Sequence, residues 1–151
     1  MFKLSKRSLD RLDGVDERLA AVVTAAIHKS RVDFGVICGM RTLEEQRELV
    51  EKGASQTMKS KHLVGHAVDL MAYCGSRASW ELNLYDDIAD AVAEAAREVD
   101  VPIVWGAAWT VPNIAQYSEG TMEDAMNSYI DVRRSQGRRP FIDGPHFELV
   151  V

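Results

Sequence analysis

The chain has 151 residues and a mass of 16.8 kDa, which is enough for one ordinary domain and too little for two. Its composition, 46% apolar and 27% charged, is that of a soluble globular protein and excludes disorder or collagen-like repeats. The net charge of −5 argues against a nucleic-acid partner held through phosphate contacts.

The predicted elements mix helices and strands. Hydrophobic residues at helical spacing, together with capping residues, mark the helices, and short β-rich runs mark the strands. In chain order we predict a helix over 16–29, a strand over 33–40, a helix over 42–52, a strand over 67–73, a helix over 82–99, a strand over 101–105, a helix over 121–136 and a strand over 146–151. The absence of a strict βαβ alternation favours an α+β fold with an antiparallel-rich sheet.

Histidine and cysteine counts limit the metal chemistry. The chain has four histidines and two cysteines. Two isolated cysteines cannot form a CxxC zinc knuckle or a disulfide framework, so any metal site must use histidine and carboxylate ligands. The apolar surroundings of Cys38 and Cys74 favour buried free thiols.

The N-terminal segment carries basic residues without an apolar stretch of signal-peptide length. No window of the sequence approaches the roughly 20 apolar residues that span a bilayer. We therefore expect synthesis in a cytoplasm without a signal peptide, and no stable membrane insertion. Action outside the cytoplasm would need release by another component.

An acidic residue stands within an apolar strand pattern. Asp69 lies in AVDLMAY, where burial is costly unless the carboxylate is paired or binds a metal. His62 lies seven positions earlier, and Gly65 permits a tight turn that would let the two side chains converge. This spacing alone leaves open a salt-bridged strand acid beside an exposed histidine.

A second histidine and a second acid begin the last strand. Asp143 and His146 are separated by a Gly-Pro turn, which restricts the backbone and can direct both side chains to one site. Two histidines and one carboxylate form a catalytic zinc set with a free position for water, and a further carboxylate can serve as general base. Asp143 fits that base role. Glu148, on the same strand face as His146, is a candidate partner for that histidine.

Four sequence blocks together resemble one family. SKHLVGHAVD over 60–69, which has the pattern SxHxxGxAxD, and DGPH over 143–146 are similar to the VanY/M15 group of zinc peptidases. Within that group they most resemble phage endolysins that act as L-alanyl-D-glutamate endopeptidases. GMRTLEEQ over 39–46 and WGAAW over 105–109 resemble two further blocks of the family, in the expected order.

The resemblance implies a metal site and a base. It implies one zinc ion per chain, with His62, Asp69 and His146 as ligands and Asp143 as the catalytic base.

Three further residues match family positions near the substrate. Arg41 matches the arginine that faces the substrate carbonyl, where a forked cation suits a developing oxyanion. Ser60 and Gln46 match substrate-binding positions. The residues alone leave open a surface ion pair for Arg41 and a cap or backbone brace for the other two.

The resemblance also implies fold and function. It implies a single M15-type catalytic domain over 1–151, of the VanY and Hedgehog/DD-peptidase type, with a small antiparallel sheet flanked by helices and no separate wall-binding domain. The implied activity is hydrolysis of the L-alanyl-D-glutamate bond of the peptidoglycan stem peptide, causing host lysis. Alternatives are a D-Ala-D-Ala carboxypeptidase or dipeptidase and a non-catalytic wall-binding module.

The biological setting follows from the resemblance too. It implies a monomer that is released through a holin and acts on the periplasmic cell wall. Residues 110–142 match the family least, and we expect them to form a lid or wall beside the cleft.

Overall fold

A five-stranded sheet organises the computed structural model, which describes residues 1–55 and 57–151. The main strand order is β1-β2-β5-β4, while β3 pairs with the end of β2, and every pairing is antiparallel. The predicted α+β class with an antiparallel sheet is therefore confirmed. The strands are β1 (Asp33–Cys38), β2 (Ala67–Cys74), β3 (Arg77–Ser79), β4 (Ile103–Trp105) and β5 (His146–Leu149).

Local capping residues mark the start of several helices. Thr42 and Glu45 form a capping box, Thr121 and Asp124 form another, and Asp16 accepts a hydrogen bond from the first turn of its helix. Every predicted element forms, with ends that differ by no more than two residues. The helices are α1 (Lys6–Arg11), α2 (Glu17–Lys29), α3 (Leu43–Glu51), α4 (Leu82–Val99) and α5 (Met122–Ser135), with short 3-10 turns at Lys61–Val64 and Ile114–Gln116.

Helices α2 and α4 pack together over one face of the sheet. Because side chains alternate along a strand, Val68 and Leu70 of β2 and Phe147 of β5 enter this core. The same alternation directs Asp69 and His146 to the opposite face of the sheet, away from the apolar core. The hydrophobic core thereby places polar side chains of two adjacent strands side by side.

Cys38 and Cys74 are both free thiols. Cys38 is partly buried, but Cys74 is exposed at the end of β2, so the expectation that both are buried is wrong for Cys74. Most of the apolar residues of β2 are buried by neighbouring elements, but this cover ends before Cys74. None of the helices in the described ranges is both long and apolar enough to cross a membrane.

Asp86 on α4 is a buried carboxyl close to other carboxylates. Burial, and the nearby carboxylates of Asp87, Glu123 and Asp90, raise the pKa of Asp86 to about 6. A carboxyl whose pKa is higher in the folded than in the unfolded chain weakens the fold once pH exceeds the unfolded value of about 3.9. The penalty grows up to about pH 6 and is absent at lower pH than either pKa.

We expect Asp86→Asn to increase the free energy of unfolding at pH 7 by about 1–2 kcal/mol, because it removes this buried charge. The gain should disappear near pH 3.5, where Asp86 is protonated in both states. Urea unfolding at the two pH values measures the difference, with Asp131→Asn on the exposed side of α5 as control. An equal gain at both pH values would contradict the electrostatic cause.

Candidate active site

Asp69 stands at the centre of a polar cluster on the open face of the sheet. It is paired across the ladder with His146, and its Oδ1 lies 3.3 Å from His146 Nδ1. Its Oδ2 lies 3.4 Å from Nε2 of His62, which comes from the 3-10 turn before β2. The three predicted ligands therefore meet around one carboxylate, although they come from three separate parts of the chain.

The turn that carries His62 is held from both sides. The Ser60 hydroxyl accepts a hydrogen bond from the His62 N–H, and the Arg41 N–H donates to the His62 carbonyl. The turn ends at Gly65, which has a left-handed φ of 73° and lies so close to the Gly14 carbonyl that a Cβ would overlap it. These contacts bury the His62 side chain and direct its ring toward Asp69.

The turn that carries Asp143 and His146 is held by the end of β4. Gly106 donates through its N–H to the His146 carbonyl and accepts from the Asp143 N–H, both at 2.8 Å. The Trp105 indole donates to the Gly144 carbonyl at 2.7 Å. A Cβ at Gly106 would overlap the Asp143 carbonyl oxygen, so only glycine permits this approach. The Trp105-Gly106 pair of the WGAAW block thus positions the DGPH block.

In each histidine, one ring nitrogen donates a hydrogen bond to a neighbouring group and the other faces Asp69. His62 Nδ1 donates to the Gly39 carbonyl at 2.7 Å, and its Nε2 is buried without a hydrogen-bond partner among the described residues. His146 Nε2 donates to Glu148 Oε1 at 2.8 Å, while its Nδ1 faces Asp69. Protein metal sites use this arrangement, in which the outer nitrogen is held so that the inner one can bind the metal.

The donor atoms form two overlapping groups that share Asp69. Cys38, His62 and Asp69 offer ligand atoms within 4.8 Å of one another, and so do Asp69, Asp143 and His146. Asp143 therefore lies within reach of a ligand role as well as a base role. An unpartnered buried imidazole nitrogen is costly, and imidazole with carboxylate is a donor set typical of zinc. The residues present fit a divalent metal.

The charged groups influence one another strongly. Burial lowers the pKa of both histidines, but the adjacent Asp69 carboxylate outweighs it and raises the pKa to about 10 for His62 and about 9 for His146. Burial also acts to raise the pKa of Asp69, yet the His146 and His62 rings against its carboxylate hold that pKa far below its usual value. By contrast, burial and the charge of Asp69 raise the pKa of Asp143. The two carboxylates thus differ, and Asp143 is the better proton acceptor.

Arg41, which directly precedes the N-cap of α3, also contacts the cluster. Its guanidinium donates to Asp69 Oδ2 at 3.2 Å and to Gln46 Oε1 at 3.0 Å. Gln46 is fully buried, and its amide nitrogen donates to the Ser55 hydroxyl and the Thr57 carbonyl. Because every polar atom of Gln46 bonds internally, the structure does not bring it to the substrate side. We correct its predicted role from substrate contact to bracing of Arg41.

A cavity of about 810 Å³ opens over the cluster. Trp109 and Phe141 form an aromatic wall, with ring centroids 6.3 Å apart, and Trp109 also packs 5.8 Å from His146. The Tyr129 hydroxyl bonds to both the N–H and the carbonyl of Phe141 and so fixes that wall. From residues 110–142, Phe141 lines the cavity, while α5 packs against α4. The predicted residues that line the cavity are Arg41, Ser60, His62, Asp69, Asp143 and His146.

Sequence reasoning did not identify Lys61, Phe141 or Cys38 as members of this site. Lys61 lies in a short 3-10 turn and Phe141 in an irregular segment, and neither is long enough for periodicity to tell which way a side chain points. Cys38 comes close to His62, with Sγ 3.7 Å from Nδ1, because β1 is irregular between Val36 and Cys38. That irregularity has no sequence signal.

Comparisons with known proteins point to one family. The sequence model of the family described as "Phage L-alanyl-D-glutamate peptidase" matches residues 1–150. The L-alanyl-D-glutamate peptidase of Escherichia phage T5 is 28% identical over 153 aligned positions, which cover 99% of this chain and 98% of that protein. The protein of the same name from Listeria phage A118 is 38% identical over 71 positions, 47% of this chain and 24% of that protein.

A solved structure is similar as well. The crystal structure of the Serratia marcescens L-Ala D-Glu endopeptidase ChiX superposes with a TM-score of 0.71 at 34% sequence identity. The match covers 99% of this chain and 90% of the Serratia chain. With an almost complete match to the family model, this chain belongs to the phage L-alanyl-D-glutamate peptidase family.

Proposed function

We propose that this chain is a zinc-dependent peptidase that hydrolyses the L-alanyl-D-glutamate bond of the peptidoglycan stem peptide. The bond preference is supported by family membership and by the names of relatives that match it from end to end. The observation that carries the chemistry is the meeting of two histidines and two unlike carboxylates on the floor of one open cavity.

In this proposal His62, Asp69 and His146 hold the zinc ion. Bound there, zinc would supply a Lewis acid that lowers the pKa of a coordinated water and polarises the scissile carbonyl. The outer nitrogens of the two histidines are already committed to Gly39 and Glu148, so the inner nitrogens are oriented before any metal arrives. Asp69 lies between them and offers the anionic ligand.

Asp143 serves as the general base and then as the general acid. Its carboxylate accepts a proton from the attacking water and afterwards delivers that proton to the leaving amine. The raised pKa of Asp143 lies closer to neutral pH than that of an ordinary carboxylate. Accepting a proton from water and delivering it to the amine are therefore more evenly balanced. Its turn, held by Gly106, keeps the carboxylate beside the cluster.

Arg41 stabilises the negative charge that develops on the substrate carbonyl oxygen. Two of its N–H groups donate to Gln46 and Asp69, which orients the guanidinium and leaves further N–H groups for a ligand. A fixed cation at the cavity wall requires no reorganisation during the reaction. Ser60 lines the cavity beside His62, and we retain it as a substrate-side residue.

The biological setting is proposed from the phage relatives. Residues 1–151 would act as one monomeric catalytic domain that is made in the host cytoplasm and released through a holin to the periplasmic wall. Cleavage of stem peptides would weaken that wall and lyse the host cell.

A mass-spectrometric digest tests the proposed activity. Purified diaminopimelate-type peptidoglycan is treated with the protein, with and without a chelator, and the new peptide termini are identified. We expect free L-alanine carboxyl groups and new D-glutamate amino groups, loss of activity with chelator, and recovery on adding zinc. Released D-alanine would instead support the carboxypeptidase or dipeptidase alternative, and wall binding without any cleavage would support the binding module.

A further inference from the structure

A lysine and a glutamate form a continuous link behind His146. Glu148 Oε1 accepts from His146 Nε2 at 2.8 Å, and Glu148 Oε2 lies 2.7 Å from Lys61 Nζ. Lys61 Nζ also donates to the Leu149 carbonyl at 2.9 Å. Both carboxylate oxygens of Glu148 are thus occupied, one by the histidine and one by the lysine.

This link restricts the orientation of the His146 ring. Glu148 is largely buried beside His146 on β5, and a side chain bound at both oxygens cannot rotate without breaking a charged hydrogen bond. With the ring held through Nε2, Nδ1 stays directed at Asp69. Lys61 forms its ion pair with Glu148 and its hydrogen bond with the Leu149 carbonyl, so its polar link to His146 passes through Glu148.

The link also joins the two segments that carry the proposed histidine ligands. Lys61 belongs to the 3-10 turn and immediately precedes His62, whereas Glu148 lies on β5 two residues after His146. An ion pair between the two segments therefore relates the position of one ligand histidine to that of the other. The exposed side chain of Lys59 lines the same cavity but takes part in no ion pair in the described part of the chain.

We propose that Lys61 is a positioning residue of the metal site, which acts through Glu148 to hold His146 in the orientation that binds zinc. The proposal rests on the zinc site of the proposed function and adds a residue to it. Partners of metal-bound histidines commonly change metal affinity by about 10- to 100-fold when they are removed. For Lys61, one contact further from the metal, we expect the lower end of that range.

The test measures zinc affinity in the purified full chain by competition with a chromophoric chelator. Lys61→Met is expected to weaken zinc binding by about tenfold, whereas Lys59→Met, the matched loss of a cavity lysine, should change it less than twofold. Lys61→Arg should restore most of the affinity because it keeps the cation. The visible absorption spectrum of Co²⁺-loaded protein should change for Lys61→Met and not for Lys59→Met.

A double-mutant cycle tests whether the effect passes through Glu148. In a Glu148→Ala background, Lys61→Met should cause no further loss of zinc affinity, because the intermediary is already absent. Additive losses would overturn the proposal. Thermal unfolding of the metal-free variants separates a general loss of stability from a loss of affinity, since only the positioning role lowers zinc binding in a chain that stays folded.

The outcomes separate this proposal from the proposed function. If Lys61→Met binds zinc as tightly as Lys59→Met while His146→Ala does not bind it, the positioning role is overturned and the zinc site stands. If the wild-type chain binds no zinc, both are overturned. Should Lys61→Met fail to fold, Lys61→Gln, whose amide can still donate to the Leu149 carbonyl, takes its place in every comparison.

Discussion

Asp143→Ala is expected to abolish peptide hydrolysis while leaving the bound zinc nearly unchanged. A general base contributes typically about 10²- to 10⁴-fold to a rate, and the same carboxylate would also return the proton to the leaving amine. The pKa of Asp143 is raised by burial and by Asp69, which suits proton transfer. Release of stem-peptide fragments measures the rate, and elemental analysis of the dialysed protein measures the zinc.

The Asp143 experiment decides between two roles that the geometry permits. Asp143 lies within ligand distance of Asp69 and His146, so a variant that loses its zinc would identify Asp143 as a ligand. Wild-type turnover would remove Asp143 from the base role altogether. Asp131→Ala, an exposed carboxylate on α5, is the matched control and should retain both activity and zinc.

His146→Ala should lose the zinc itself, and with it all hydrolysis. The change deletes one of three proposed protein ligands, a larger loss than the removal of an outer partner, which alone costs about 10- to 100-fold in affinity. Zinc content after dialysis and the affinity from chelator competition measure the effect. Full zinc occupancy in this variant would contradict the ligand assignment.

His66→Ala is the matched control for His146→Ala. His66 stands four residues after His62, but its ring lies 4.0 Å from Asp16 and does not line the cavity. We expect this variant to keep its zinc and its activity. Loss of zinc from it would move the ligand assignment within the 62–66 segment.

The secondary structure was largely predictable because its determinants are local. Thr42 and Thr121 form the capping boxes of α3 and α5 with residues only three positions later. Helix α4 follows its hydrophobic spacing over the full range of residues 82–99. The missed elements α1 and β3 are too short for a periodic pattern. Helix α1 has a local cap at Ser5 and also distant contacts, such as the buried hydroxyl of Ser8 that accepts from the Val36 N–H.

The sequence predicted which residues belong to the candidate site better than it predicted what those residues contact. The family resemblance read from four blocks is confirmed by the family match, and the residues of those blocks do meet in space. The predicted substrate-side position of Gln46 differs from its buried position in the structure. A motif position does not tell whether an amide faces a cavity or the protein interior. Phe141 lies in an irregular segment and Lys61 in a short 3-10 turn, and the direction of both side chains depends on what these segments pack against.

The sequence by itself determined the chemistry that this protein has to offer. The absence of a cysteine pair favours histidine and carboxylate as metal ligands, and the family resemblance of the four sequence blocks implied which side chains these are. Only the tertiary structure decided how they are used. The register of β2 and β5 sets Asp69 against His146. Burial acts to raise the pKa of both Asp69 and Asp143, but the two histidines against Asp69 hold its pKa far below that of Asp143. Ladder register and desolvation both arise from contacts between residues far apart in the chain, which no local pattern encodes.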